Sequence, residues 1–296
     1  MTSAFLANLS SPPLLFFFLG MVAVFVRSDL DIPGQIARFL SLYLLFAIGF
    51  KGGVALATAS LGPAVWLTLG AAIALSALVP IYSFFLLRKR LGVANAAAVA
   101  ATYGSVSAVT FITGTSYLDA QGIEWNGYLV AAMALMESPA IIVGMLLFSR
   151  FRNDADKRGK LRWGPLLHEA SLNGSVFLIL GSMLIGYITG PQGMEQISAV
   201  VTAPFLGVLC LFLLDMGIVA ARRLKDLGET DGSGKLPLAL MATASLVFPL
   251  VNAAAALAVG VALNLSEGDL VLLTVLGASA SYIAVPAALR LGQGKA

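Results

Sequence analysis

Long apolar runs dominate the pattern of hydrophobic and polar positions along this chain. A bilayer core about 30 Å thick is crossed by roughly 20 apolar helical residues. Runs of this kind predict nine membrane-spanning helices, near 14–33, 36–57, 62–87, 94–117, 126–149, 173–190, 197–221, 236–263 and 269–290. Composition agrees, because only 11% of the residues are charged, against roughly a quarter in soluble domains. We therefore expect an all-α integral membrane protein.

Almost all of the basic residues lie in loops on one side of the predicted membrane topology. Of the 18 Lys and Arg residues, 17 lie in alternate loops, and the intervening loops contain none. By the positive-inside rule these loops are cytoplasmic, so we expect the N-terminus outside and the C-terminus in the cytoplasm. Such dispersed charge forms no patch for nucleic acid, and we expect no nucleic-acid partner. Lys51 is the exception, because it lies within a span.

Four segments of the first half recur in the second half in the same order. The matched residues are Gly20 with Gly181, Gly49 with Gly217, Pro80 with Pro249, and Gly104 with Gly277, at offsets of 161, 168, 169 and 173. Because five spans separate the two units, they cross the membrane in opposite directions, which is typical of secondary transporters.

This repeat predicts how the chain is divided. A first repeat of five spans covers 1–150, a cytoplasmic linker covers 151–172, and a second repeat of four spans covers 173–296. The second repeat lacks a partner for the fifth span, so we expect it to be without its last helix.

Small and hydroxyl residues interrupt the fourth and ninth predicted spans, at 103–110 (YGSVSAVT) and 277–282 (GASASY). A helix break at membrane depth frees backbone groups that hydrocarbon cannot satisfy but a polar solute can. Half-helix N-termini suit an anion, whereas exposed carbonyl oxygens suit Na⁺. Small residues also allow close helix packing without any ligand, but their matching positions in both repeats favour a site.

Three ionisable residues lie within the predicted spans: Lys51, Glu137 and Asp215. Each costs at least about 2.5 kcal/mol to insert at the bilayer centre, so they should face one another or a wet cavity. A pair of Lys51 with Asp215 or Glu137 would serve either as a structural pin or as an ion-coupling group. Asn252 would either line a cavity or bond between helices.

Nothing in the sequence predicts an enzyme. It contains no H-E-x-x-H motif, no G-x-S-x-G elbow and no paired intramembrane aspartates. Ser105 and Ser107 have no nearby base that would activate them. We also expect no organic cofactor.

Five motifs in order along the chain resemble the sodium-dependent bicarbonate transporter family of bacteria. They are LLFAIGFKGGVAL, YGSVSAVTF, MESPAIIVGML, WGPLLHEASLNGSV and ASASYIAVPAALRL. The resemblance implies ten spans in two inverted five-span repeats, a homotrimer in the bacterial inner membrane, and an elevator-like movement of the domain that carries the substrate. It also implies a PII-like regulatory partner on the cytoplasmic side.

The resemblance further implies a site shared by the two breaks, with bicarbonate bound between them. The substrate-binding residues carried over by motif are Gly104, Ser105, Val106, Ser107, Ala280, Ser281 and Tyr282. Na⁺ would bind near Ser107, Thr110 and Ser279. At Tyr282 the chain departs from the family pattern, which has an acidic residue there.

The predicted function is therefore secondary transport, with Na⁺-coupled uptake of bicarbonate or a similar small anion. The alternative is a sodium/proton antiporter, or another small-solute carrier built on the same inverted repeat. In the alternative the groups that couple ions are Lys51, Glu137 and Asp215. In both cases the partners are a small solute and the lipid bilayer.

Overall fold

The computed structural model describes residues 11–58, 62–152, 174–229 and 235–281. These residues form helices joined by short connections. In chain order the described helices are α1 (Pro12–Phe25), α2 (Gly34–Thr58), α3 (Pro63–Gly104), α4 (Ala108–Gln121), α5 (Tyr128–Phe151), α6 (Gly174–Val201), α7 (Phe205–Glu229), α8 (Lys235–Ala262) and α9 (Glu267–Ala278).

Several of these helices are suited to crossing a membrane. Six segments of the described chain are long and apolar enough: Gly34–Thr58, Pro63–Gln121, Tyr128–Phe151, Val176–Val201, Phe205–Lys225 and Ala242–Ala262. Large apolar side chains on their surfaces are exposed, as at Ile188 (72%) and Leu250 (71%), which suits hydrocarbon and not water. The prediction of an all-α, multi-pass membrane protein is confirmed.

The six segments that meet this criterion of length and hydropathy are fewer than the nine predicted spans. The difference arises at three places in the chain. The first helix ends at Phe25, and Arg27 just after it has a positive φ of 58°, so α1 has only 14 residues. Two predicted spans, 62–87 and 94–117, fall within the single segment Pro63–Gln121. The last predicted span, 269–290, extends beyond the described residues.

Two glycines allow long helices to change direction. Gly92 in α3 has a φ of 77°, and Gly190 in α6 has a φ of 58°. Glycine adopts positive φ without the steric cost that a Cβ imposes. Both bends lie near boundaries that the apolar pattern predicts, but the chain continues as helix on either side.

The helices pack as two groups. In the first, which we call the glycine-crossing group, α1 packs along α7 and α2 packs along α6. In the second, the break group, α3 packs along α5, α8 along α9, and α9 also contacts α4. Smaller contacts of α2 with α4 and α5, and of α5 with α6, join the two groups.

Glycines bring the backbones of the first group together. A Cβ on Gly20 of α1 would overlap the carbonyl oxygen of Leu214, and one on Gly217 of α7 would overlap that of Phe17. In the crossing of α2 with α6, a Cβ on Gly49 would lie 2.8 Å from the carbonyl oxygen of Ile179. Any larger residue at these positions must separate the helices.

This packing predicts that Gly217→Val lowers the free energy of unfolding by about 1–3 kcal/mol, because the new side chain would collide with the backbone of α1. Thermal unfolding of the purified protein in detergent measures the change. Gly207→Val is the matched control on the same helix, since nothing lies within 4 Å of a Cβ there. Equal melting temperatures for the two variants would contradict the proposed role of the crossing.

Candidate functional site

Helical structure stops at both interruptions that the sequence predicts. Between α3 and α4, residues 105–107 are not helical, and residues 279–281 are not helical after α9. The residue after each preceding helix is extended in the same way: Ser105 has φ −82° and ψ 160°, and Ser279 has φ −76° and ψ 162°. We refer to 105–107 and 279–281 as the first and second breaks.

The two breaks contact each other directly. The backbone N–H of Ser107 donates to the Oγ of Ser279 at 3.0 Å, and the N–H of Ser281 donates to the carbonyl oxygen of Thr102 at 3.0 Å. The second break thus satisfies one backbone N–H of the first break, and the last turn of α3 satisfies one backbone N–H of the second break. Groups freed by helix interruption have few other partners at membrane depth, so this crossing stabilises both breaks.

The N-terminus of α4 points into the crossing. Ser107 is its N-cap, and the Oγ of Ser107 accepts the backbone N–H of Thr110 at 3.3 Å. A helix N-terminus carries partial positive charge and N–H groups that favour an anion. The carboxyl ends of α3 and α9 face the same region, and the carbonyl oxygens of such ends favour a cation.

A small cavity of about 20 Å³ lies beside the crossing. This volume holds one water-sized particle. Its polar lining comes from Ser41, Ser107, Glu137 and Ser281, and its apolar lining includes Val106, Ile179 and Phe212. These residues belong to both helix groups, so the cavity lies where the break group meets α2, α6 and α7.

Ser105 has a buried side chain whose hydrogen bonding is incomplete. Its Oγ is fully buried and has no hydrogen-bond partner among the described residues. Leaving a buried hydroxyl unsatisfied costs about 1–3 kcal/mol, so such groups are rare without a reason. Beside it, a Cβ on Gly104 would overlap the ring of Pro80, so α3 leaves the break no room to shift on that side.

Comparison with protein families agrees with this architecture. Residues 12–296 match the family model of the Na⁺-dependent bicarbonate transporter superfamily. The chain belongs to this superfamily. The match spans both breaks and confirms the family that the sequence motifs predict. Because the superfamily consists of transporters and not of enzymes, the prediction that this protein is no enzyme is also confirmed. No curated protein matches the chain.

The structure separates the three ionisable residues that the sequence places within spans. Glu137 is only 7% exposed and lines the cavity at the crossing. Lys51 lies 4.4 Å from the ring centroid of Phe205, and its electrostatic partner is Asp119. Of the three, Glu137 alone is among the residues that line the cavity.

Asp215 has a different charged environment from Lys51. It is buried in α7, and its charged neighbours are Asp31 and Arg222. Those two neighbours form a salt bridge at 3.0 Å between the connection after α1 and α7. Asp215 therefore lies beside an exposed ion pair that joins the connection after α1 to α7.

Asn252 lies behind the first break and bonds between helices. Its Oδ1 accepts the hydroxyl of Tyr82, and its Nδ2 donates to the carbonyl oxygen of Tyr103 at 3.5 Å. Of the two roles that the sequence left open, the structure supports interhelical hydrogen bonding. The sequence did not predict this role for Tyr82, because a tyrosine in an apolar run carries no distinctive signal.

The remaining predicted site residues lie close to the crossing or outside the described chain. The side chain of Thr110 is exposed, Val106 and Ser279 are buried at the breaks, and Ala280 lies between Ser279 and Ser281 in the second break. Tyr282 lies outside the described residues, as does most of the predicted linker. The roles predicted for these residues stay predictions.

The crossing predicts that Ser279→Ala destabilises the protein by about 1–3 kcal/mol, because the buried N–H of Ser107 loses its acceptor. Thermal unfolding in detergent measures the loss. Ser266→Ala is the control at the other end of α9, where the described serine side chain makes no capping hydrogen bond. If the two variants unfold alike, the contact between the breaks contributes nothing to stability.

Proposed function

We propose that this protein is a secondary transporter that takes up bicarbonate, or a similar small anion, together with Na⁺. The observation that carries this proposal is the crossing of the two breaks beside a cavity at the boundary between the helix groups. Membership of the superfamily supports the same substrate and the same coupling ion.

Anion binding would use the first break and the N-terminus of α4. Backbone N–H groups there carry partial positive charge, and the unpartnered Oγ of Ser105 supplies a hydroxyl. The second break faces them across the crossing. The proposed substrate-binding residues are Gly104, Ser105, Val106, Ser107, Ala280, Ser281 and Tyr282.

Na⁺ binding would use oxygen atoms at the same crossing. Hydroxyl and carbonyl oxygens suit this hard cation, and we propose Ser107, Thr110 and Ser279 as its neighbours. Glu137 lines the same cavity and would supply negative charge near a bound cation. The attraction between a cation and an anion bound side by side offsets part of the desolvation cost that each ion pays on leaving water.

Alternating access would come from movement of the break group against the glycine-crossing group. The two sets of helices have extensive packing within themselves and smaller contacts between them. Close backbone crossings at Gly20 with α7 and at Gly49 with α6 favour a rigid glycine-crossing group. The break group would then carry the site past it in an elevator-type motion.

An inverted repeat is supported by the matched pair Gly49 and Gly217, each of which lies at a close helix crossing. Under the sequence matches, Gly20 corresponds to Gly181 and Gly49 to Gly217. The crossing of α1 with α7 through Gly217 is therefore the counterpart of the crossing of α2 with α6 through Gly49. We infer that the two crossings are related by the repeat.

For the cellular setting we propose the bacterial inner membrane, with the N-terminus outside and the C-terminus in the cytoplasm. The one-sided distribution of basic loops supports this orientation. From the resemblance to the bicarbonate transporters we also propose a homotrimer and a PII-like partner on the cytoplasmic side.

The proposal predicts that purified protein in liposomes accumulates labelled bicarbonate when an inward Na⁺ gradient is imposed. Ser107→Ala should raise KM for bicarbonate about tenfold or more, because a hydrogen bond to a charged ligand is worth about 1.5–3 kcal/mol. Ser245→Ala is the control, since its hydroxyl donates to the carbonyl of Ala242 within α8. Uptake that persists without Na⁺ would contradict the coupling.

A sodium/proton antiporter is the second candidate, and the position of Glu137 in the cavity favours it. Protons would then leave liposomes loaded with the protein when Na⁺ alone is added, and a pH-sensitive dye inside would report the change. We expect no such flux, and equal responses from the native protein and Glu137→Gln. Proton movement abolished by Glu137→Gln would replace the anion proposal with this one.

A further inference from the structure

A buried carboxylate lies at the N-terminal end of α9, at the opposite end of this helix from the second break. Asp269 is in the first turn of α9 and is only 2% exposed. A carboxylate is costly to bury unless hydrogen bonds compensate for the water it loses. The residues around Asp269 supply three such bonds.

Each oxygen of Asp269 has its own donors. The backbone N–H of Asn126 donates to Oδ1 at 2.8 Å, while Nδ2 of Asn126 donates to Oδ2 at 2.7 Å. The hydroxyl of Tyr128 also donates to Oδ2, at 2.9 Å. Two different atoms of Asn126 bond the two oxygens of Asp269. The contact therefore restricts both the rotation of the carboxylate and its distance from Asn126.

Two of the three donors belong to Asn126 in the connection from α4 to α5, and the third belongs to Tyr128, the first residue of α5. A Cβ on Gly268, the residue before Asp269, would overlap the carbonyl oxygen of Glu124 in that connection. The start of α9 is therefore seated directly on the chain that follows α4. Asp269 fixes where α9 begins relative to where α4 ends.

At its other end, α9 meets the beginning of α4. Midway, a Cβ on Gly114 of α4 would lie 3.2 Å from the side chain of Leu272 of α9. At the breaks, Ser279 accepts the N–H of Ser107. The two half-helices thus run side by side and are joined at both ends.

We propose that Asp269 is a positioning residue that sets the register of the second break against the first. The 12 residues of α9 span about 18 Å at 1.5 Å per residue, so Asp269 acts on the breaks through the helix and not by touching a ligand. A shift of α9 along its axis would move Ser279 away from Ser107 and distort the ion site. This inference rests on the proposed function only in the experiment that measures KM for bicarbonate and Na⁺.

The first test measures geometry and does not depend on transport. Cysteines replace Ser107 and Ser279 in a Cys210→Ala background, and the rate of disulfide formation under mild oxidation reports how closely the breaks approach. We expect Asp269→Ala to slow cross-linking at least about threefold. Glu267→Ala, which removes the same charge from an exposed position in the same turn of α9, should leave the rate unchanged.

The second test uses sodium-driven bicarbonate uptake by the full chain in liposomes. We expect Asp269→Ala to raise KM for bicarbonate and Na⁺ by about 3- to 30-fold while the maximal rate changes little. Glu267→Ala should keep the native KM. If the native protein transports no bicarbonate, the proposed function fails, but the cross-linking result still decides this inference.

Asp269→Asn separates position from charge. Its amide oxygen can accept the N–H of Asn126, and its NH₂ can donate to the Asn126 side-chain oxygen after that amide turns over. We therefore expect near-native cross-linking and a KM within about twofold of the native value. If Asn behaves like Ala, the charge and not the position is what matters, and the proposal is overturned.

Tyr128→Phe covers the case in which Asp269→Ala fails to fold. It removes one donor and keeps the ring, so we expect a smaller slowing of cross-linking in the same direction. A native cross-linking rate in Asp269→Ala, or in Tyr128→Phe where Asp269→Ala does not fold, would overturn the proposal.

Discussion

Hydrocarbon offers no hydrogen bonds, and the rest of this structure depends on that constraint. A chain that interrupts two helices at membrane depth must satisfy the freed backbone groups internally or with a ligand. Here the freed groups are partly satisfied within the protein, through Ser107 with Ser279 of the other break and Ser281 with Thr102 of α3. What these contacts leave unsatisfied, above all the hydroxyl of Ser105, is where a polar solute would be stabilised. The proposed site is thus a consequence of interrupted secondary structure, not of a cluster of charged side chains.

The same constraint explains why the surrounding helices are built differently. In the glycine-crossing group, backbone lies on backbone at Gly20 and Gly217, so van der Waals contact holds helices together without a hydrophobic effect between them. In the break group, polar pairs such as Asn252 with Tyr82 support the interrupted segments from behind. One group is suited to remain rigid, while the other holds the polar groups that we propose to bind ions.

Charges buried in this protein have roles that differ with their surroundings. Asp269 is held by three donors far from the cavity, whereas Asp215 lies near the salt bridge of Asp31 with Arg222. Lys51 faces an aromatic ring and Asp119. Of Lys51, Glu137 and Asp215, Glu137 alone borders the cavity. A charged residue within a predicted span therefore needs a compensating partner. Its position in the fold decides whether it lies near the proposed ligand site.

Apolar run length, basic loops and ordered motifs were enough to determine the membrane class, the family and the positions of the two breaks. Those features are local, because run length and helix-breaking composition act within a few turns of chain. The contact of Ser107 with Ser279, the separation of Glu137 from Lys51 and Asp215, and the hold of Asn126 on Asp269 join residues far apart in sequence. Sequence spacing carries no information on which faces of distant helices meet, since side-chain packing and backbone bends such as Gly92 set those faces. Only the tertiary structure could decide which of these polar residues lie together at the crossing and which lie far from it.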